Sequence, residues 1–287
     1  MGERTDFDMK IAMLYICTGK YEIFWDEFYS SCEKYFYPED SKEYFVFTDS
    51  ERVIRLNSDR IHSFYQAKSG WPYDTLLRYN WFCTVQDKLK EFDFCYFVNA
   101  NSVFLKTVKA NVIPYPTEET PLVLSIHPRF YDDCLGETFN PERDPRSTAY
   151  VAEGTPCRSH CGAFWGGTAP AIMEMCRVLR DRTQTDLGNG IIAIWHDQSH
   201  LIKYATEVKH YNIAQGLVSY EEYMDPDKCV LMFPAKAKYG GNDFLREVDW
   251  KTKLSHLPQK AYGKTLRALK AVHMDGALRK AVHIFKK

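Results

Sequence analysis

Apolar residues gather along this chain in short runs set between longer stretches of mixed polarity. KIAMLYIC (Lys10 to Cys17, stopping at Thr18-Gly19), EYFVFTD (Glu43 to Asp49) and DFCYFV (Asp93 to Val98) are too short for buried helices and lack polar alternation, as strands covered on both faces do. Arg60 to Gln66 is a further strand candidate. Helical spacing lies between these runs. One segment covers Glu22 to Phe36 and is closed by Pro38; another covers Trp71 to Leu89, where Leu77, Trp81, Val85 and Leu89 stand four apart on one face. The alternation predicts an α/β domain around a mostly parallel sheet.

The second half is less regular. Leu122 to Ile126 reads as a strand, Ile172, Met175, Cys176 and Leu179 lie at helix spacing, and Trp195 to Tyr204 opens another helix. The polar stretch from His127 to Gly154 is long enough that it is either functional or disordered. Beyond Lys236 the chain turns basic. Lys260, Lys264, Arg267, Lys270, Arg279 and Lys280 alternate with Leu266, Leu269, Val272, Leu278 and Ile284, as a solvated terminal helix or a peripheral membrane contact would have them.

With 37 basic and 38 acidic residues the net charge is −1, so charge-driven binding must come from local patches and nucleic acid is not an expected partner. No window approaches the roughly 18 apolar residues of a membrane span, and the charged opening MGERTDFD does not resemble a signal peptide. Nine scattered cysteines suit reduced, packed thiols. These features lead us to expect a cytoplasmic protein.

Three motifs have chemical interest. Asn99-Ala100-Asn101 follows the Asp93 to Val98 strand, where ligands of open α/β sheets bind; its two carboxamides fit either a shared ligand or an ordinary turn. His196 and His200 would share a helix face and suit zinc, although the zinc-hydrolase pattern needs Glu directly after the first His and here Asp197 precedes Gln198. Cys157-Arg-Ser-His-Cys161 has ligand spacing with no second pair to complete it. The phosphate-binding Gly-x4-Gly-Lys loop, the dinucleotide Gly-x-Gly-x-x-Gly and the hydrolase Gly-x-Ser-x-Gly are all missing from the sequence.

Ordered blocks over residues 11–238 resemble glycosyltransferase family 6, the retaining α-1,3-Gal/GalNAc transferases that include the ABO blood-group enzymes. EYFVFTD is similar to the family's second strand, and Trp71 and Arg78 stand seven apart as its donor-contacting pair does. Val98-Asn-Ala-Asn101 occupies the place of its Asp-x-Asp, and Ile126-His-Pro-Arg-Phe-Tyr131 is similar to its Leu-His-Pro-Gly-Phe-Tyr. Cys161-Gly-Ala-Phe-Trp-Gly-Gly167 resembles its sugar-selecting block, and Trp195-His-Asp-Gln-Ser-His-Leu201 its Trp-His-Asp-Glu-Ser-His-Leu.

The resemblance implies a GT-A-type domain over 9–245, with an N-terminal extension over 1–8 and a basic segment over 246–287. It implies transfer of GalNAc, or less favourably Gal, from a UDP-sugar donor to the 3-hydroxyl of a fucosylated β-galactoside acceptor. By this resemblance Ile16, Cys17, Thr18 and Tyr21 line the uridine pocket. Arg78 and Asp197 hold the donor sugar, while Cys161, Gly162 and Ala163 shape the space beside it. His127 and Trp195 meet the acceptor, and Lys236, Lys238 and Arg246 close over the diphosphate. Two departures matter. Asn99 and Asn101 replace the metal-binding aspartates, as in the family's metal-independent bacterial members, so no divalent cofactor is expected. Gln198 replaces the catalytic Glu, which implies slowed turnover or a silent glycan-binding protein; a zinc hydrolase built on His196 and His200 is the remaining alternative.

Overall fold

The computed structural model describes residues 9–247. The N-terminal extension and the basic amphipathic helix expected beyond residue 260 lie outside the described residues. In chain order the elements are β1 (Lys10–Ile16), α1 (Trp25–Tyr35), β2 (Ser41–Thr48), α2 (Glu51–Ile54), β3 (Ile61–Tyr65), α3 (Tyr73–Leu76), α4 (Arg78–Cys83), α5 (Gln86–Leu89) and β4 (Phe94–Val98). There follow β5 (Val103–Phe104), β6 (Leu122–Ile126), β7 (His160–Thr168), α6 (Ala169–Gly188), α7 (Asp197–Ala205), β8 (His210–Asn212), β9 (Val218–Tyr220), β10 (Leu231–Phe233) and α8 (Gly241–Leu245).

Seven strands form one sheet in the order β3-β2-β1-β4-β7-β6-β8. Four neighbouring pairs are parallel, and β7 runs antiparallel to both its neighbours. This is the mostly parallel α/β sheet that the sequence predicts. A smaller sheet, β5-β10-β9, lies apart. Side chains alternate across the main sheet as a two-residue period requires. Ile11, Met13 and Tyr15 of β1, with Phe94, Tyr96 and Val98 of β4, enter one core with Trp25 and Phe28 of α1. Ala12, Leu14, Cys95 and Phe97 enter the other, with Phe82 of α4, Ile172 of α6 and Leu201 of α7. Both strands are covered on both faces, which is why their sequences read as unbroken apolar runs.

Two expected helices differ in detail. The segment from Glu22 begins as a 3-10 helix (Gly19–Phe24) and becomes α-helical only at Trp25. Trp71 to Leu89 breaks into α3, α4 and α5, yet Leu77, Trp81, Val85 and Leu89 still meet one core, so the spacing marked a buried face rather than a continuous helix. All nine cysteines are free thiols, seven of them buried. No helix among the described residues is long and apolar enough to cross a membrane.

The chain leaves β1 toward β2 and β3 on one side and returns to β4 on the other, so the crevice beyond the carboxyl ends of β1 and β4 is a topological switch point. Strand β7 closes this crevice and can approach β4 because it carries glycines: a Cβ on Gly166 would lie 2.0 Å from the Tyr96 ring, and one on Gly167 2.6 Å from the Pro121 carbonyl. Gly166→Ala is expected to destabilise the protein by about 3 kcal/mol or more through overpacking. A thermal melt of this variant unchanged from the parent would contradict that reading of β7.

Candidate active site

A cavity of about 240 Å³ opens at the switch point. Ile16 and Thr18 reach it from the end of β1, Phe97, Asn99, Ala100 and Asn101 from β4 and its turn, and Gly162 and Ala163 from β7. Trp195, Asp197 and Gln198 come from the start of α7, and Lys236, Leu245 and Arg246 from the C-terminal side. Four basic residues (Lys68, Arg78, Lys236, Arg246) face it against two carboxylates (Asp74, Asp197), a surplus of two positive charges that suits an anionic ligand.

Arg78 and Asp197 form its floor. Their side chains are 7% and 8% exposed and approach to 3.2 Å between Nη1 and Oδ2. The same Nη1 donates to the Gly162 carbonyl at 2.7 Å, and the guanidinium lies over the Phe97 ring at 4.6 Å. Burial raises the Asp197 pKa, and the Arg78 charge opposes that rise. The buried Arg78 Nε has no hydrogen-bond partner among the described residues. A Cβ on Gly162 would come within 3.1 Å of Asp197 Oδ2, so glycine keeps β7 close to this pair. Gln198 Oε1 accepts the Gly162 N–H at 3.3 Å.

On the opposite wall Lys236 Nζ lies 5.1 Å from the Tyr21 ring centre, and the Arg246 guanidinium 4.9 Å from that of Trp71. Burial, and then the charges of Arg246 and Arg78, push the Lys236 ammonium down to about 8. No carboxylate pairs with Lys236 among the described residues.

Most of the residues singled out from the sequence therefore meet in one place, and four do not line it. Cys17 is buried in the core; its N–H donates to the Phe47 carbonyl at 3.0 Å and its own carbonyl accepts from Thr48, so it turns no group toward the cavity. Cys161 is screened by Tyr220, whose hydroxyl lies 3.0 Å from its Sγ. Lys238 is ion-paired to Glu221 and is not part of the lining. His127 is one ring removed, 5.0 Å from Tyr220 between ring centres. Tyr220, Lys68, Asp74 and Thr75 line the cavity without having been expected there. Asp74 and Thr75 lie between Trp71 and Arg78, Lys68 and Tyr220 stand outside the resembling blocks, and the pairing of β9 with β10 brings Tyr220 across.

The strand-end pair does not fit a divalent cation. Such an ion needs hard, anionic oxygens, whereas Asn99 and Asn101 are neutral and Asn101 Nδ2 is committed to the Pro234 carbonyl at 3.0 Å. The two carboxamides share one cavity. The zinc alternative fails as well. His196 caps α7 from outside with φ 54° and packs its ring on Trp71, while His200 is buried beside Asp186. No group of three or more His, Cys, Asp or Glu gathers among the described residues. In the Cys157 to Cys161 motif, His160 bonds Asn212 at 2.9 Å, an ordinary packing role.

Comparison with known proteins bears on this geometry. The family model of glycosyltransferase family 6 matches residues 4–229. The Escherichia coli O-antigen biosynthesis glycosyltransferase WbnI is 35% identical over 77% of this chain and 89% of its own length. The human globoside alpha-1,3-N-acetylgalactosaminyltransferase 1 is 27% identical, and the rat histo-blood group ABO system transferase 2 is 25% identical. These two matches cover 69% and 68% of this chain but only 57% and 58% of the vertebrate enzymes. A mixed α/β domain with a switch-point cavity of net positive charge, matched to this extent, belongs to glycosyltransferase family 6, and the chain is a hexosyltransferase of that family.

Proposed function

We propose that the chain transfers GalNAc, and less readily Gal, from a UDP-sugar to the 3-hydroxyl of a β-galactoside, with retention of anomeric configuration and without a metal ion. The observation that carries this reading is the cavity itself: Lys236 and Arg246, which have no carboxylate ion pair among the described residues, line it together with the neutral Asn99, the Arg78-Asp197 pair and Gln198. Uridine would lie by Ile16, Thr18 and Tyr21. The diphosphate would lie by Asn99, Lys236 and Arg246, and the sugar over Arg78, Asp197 and Gly162. Trp195 is 43% exposed, and its indole N–H is spent on the Phe139 and Asn140 carbonyls, which leaves the ring face to stack on a galactoside.

Charge bookkeeping makes a metal-free site reasonable. One opposite pair at 4 Å is worth about 4 kcal/mol at an effective dielectric of 20. Two side-chain cations replace much of what a divalent ion supplies, and exchanging two aspartates for asparagines removes the repulsion that such an ion would have to offset. The preference for GalNAc is drawn from the resemblance of Cys161-Gly162-Ala163 to the family's sugar-selecting block, whose small residues leave room for an N-acetyl group.

Gln198 occupies the position of the family's carboxylate. An amide neither attacks an anomeric carbon nor strongly supports its positive charge, so substrate binding is retained while turnover is slow. A purely glycan-binding protein is the second reading, favoured by the same Gln198.

Gln198→Glu is expected to raise kcat at least about hundredfold, with the Kd for UDP-GalNAc changed less than about threefold; equal UDP-release rates would remove residue 198 from the chemistry. EDTA is expected to leave UDP release unchanged, and a strict requirement for added Mn²⁺ would refute the metal-free site. Because a bound diphosphate favours the charged form of Lys236, UDP affinity should be greatest below pH about 8 and decline above it. Calorimetric titration of UDP between pH 6.5 and 9.5 checks this: Lys236→Met should bind more weakly and lose the decline, and an unchanged profile would clear Lys236 of the role.

A further inference from the structure

Between β6 and β7 the chain runs through residues 127–159 with one turn of 3-10 helix (Pro128–Phe130) as its regular structure. Carboxylates build the rest. Asp133 accepts the N–H groups of Leu135, Gly136, Glu137 and Thr138 at 2.7 to 3.2 Å and the Thr138 hydroxyl at 2.6 Å. Desolvation acts to raise its pKa, but these bonds hold the carboxyl well below the usual range. The buried Glu142 accepts from the backbone of Asp144 and of Ile194, each at 2.8 Å. The buried Asp186 of α6 accepts from the Ser147 hydroxyl at 2.5 Å and the Thr148 N–H at 2.8 Å. Arg143 ties the far end to the Val151 and Ala152 carbonyls. A surface loop fastened at so many points is preorganised, and preorganisation chiefly benefits binding.

This loop lines a second, half-open cavity of about 620 Å³, within the range of roughly 300 to 1,000 Å³ usual for ligand pockets. Leu135, Glu137, Asn140, Arg143, Tyr150 and Glu153 line it. It shares a wall with the first cavity: the Asn140 carbonyl accepts from Trp195 Nε1 at 3.0 Å, and Trp195 lines the first. An aromatic ring, two carboxylates, a guanidinium and an amide offer a flat face and several bidentate hydrogen-bonding groups of mixed sign. That combination suits the vicinal hydroxyls of an uncharged sugar better than a polyanion or an apolar chain.

We propose that the second cavity is an extended acceptor subsite, holding the saccharide units linked to the anomeric carbon of the galactose that stacks on Trp195. The assignment rests on the transferase reading above. It means that the enzyme selects an oligosaccharide by more than its terminal residue.

The test compares UDP release with methyl β-galactoside, lactose and a tetrasaccharide ending in β-galactose, on the chain and on its Gln198→Glu variant. KM should fall about fivefold or more from the monosaccharide to the tetrasaccharide, the yield of one or two added hydrogen bonds. Leu135→Trp, which fills the cavity, and the pair Glu137→Gln and Glu153→Gln should each remove that gain. KM for methyl β-galactoside should not change in either, which also shows that they fold. Equal KM along the series, or a gain that survives both variants, overturns the subsite and leaves the transferase reading intact. No UDP release with any galactoside overturns both.

Discussion

The buried pair of Arg78 and Asp197 fixes the geometry on which the site depends. It joins α4 to the start of α7, and through the Arg78 bond to the Gly162 carbonyl it joins both to β7. Two charges placed so far from water are costly, and removing either one would strand the other at about 3 to 5 kcal/mol. The arrangement is therefore kept only as a set. Gly162 allows the close approach, Phe97 supports the guanidinium, and the N-terminal turn of α7 carries Gln198 alongside. A rigid floor of this kind holds the Gln198 amide against β7 at the cavity, beside the anomeric carbon in the transfer proposed above.

Electrostatics divides the cavity into two regions. At the floor each charge is answered, and burial raises the Asp197 pKa against the pull of Arg78. At the opposite wall Lys236 and Arg246 sit close to each other and to aromatic rings, and burial, followed by the charges of Arg246 and Arg78, lowers the Lys236 pKa. Asn99 and Asn101 fit this division because they add no negative charge to the cavity, and Asn101 also braces the chain after β10 through Pro234.

The sequence made legible the elements whose burial is uniform. KIAMLYIC and DFCYFV read as two-sided strands because both cores draw on them alternately. Strand β7 was seen only as a glycine-rich block, since Gly166 and Gly167 are there to admit Tyr96 and Pro121, a reason that exists only once the strands are paired. Arg78, Asp197 and Gln198 were legible from ordered motifs. Cys17, Cys161 and Lys238 are chain neighbours of cavity-lining residues yet do not line the cavity, because adjacency along the chain does not determine side-chain direction where strands end or 3-10 turns intervene. Tyr220 carried no sequence signal: its place depends on the small β5-β10-β9 sheet.

The central claim is that side-chain cations and neutral amides suffice to seat a nucleotide diphosphate at the end of β4. A crystal grown with UDP and excess Mn²⁺, with anomalous data collected at the manganese edge, addresses it most directly. The account predicts phosphate oxygens in contact with Lys236 and Arg246 beside Asn99, and no anomalous density between them. A manganese ion bridging the diphosphate to Asn99 or Asn101, or a diphosphate bound away from this wall, would contradict it.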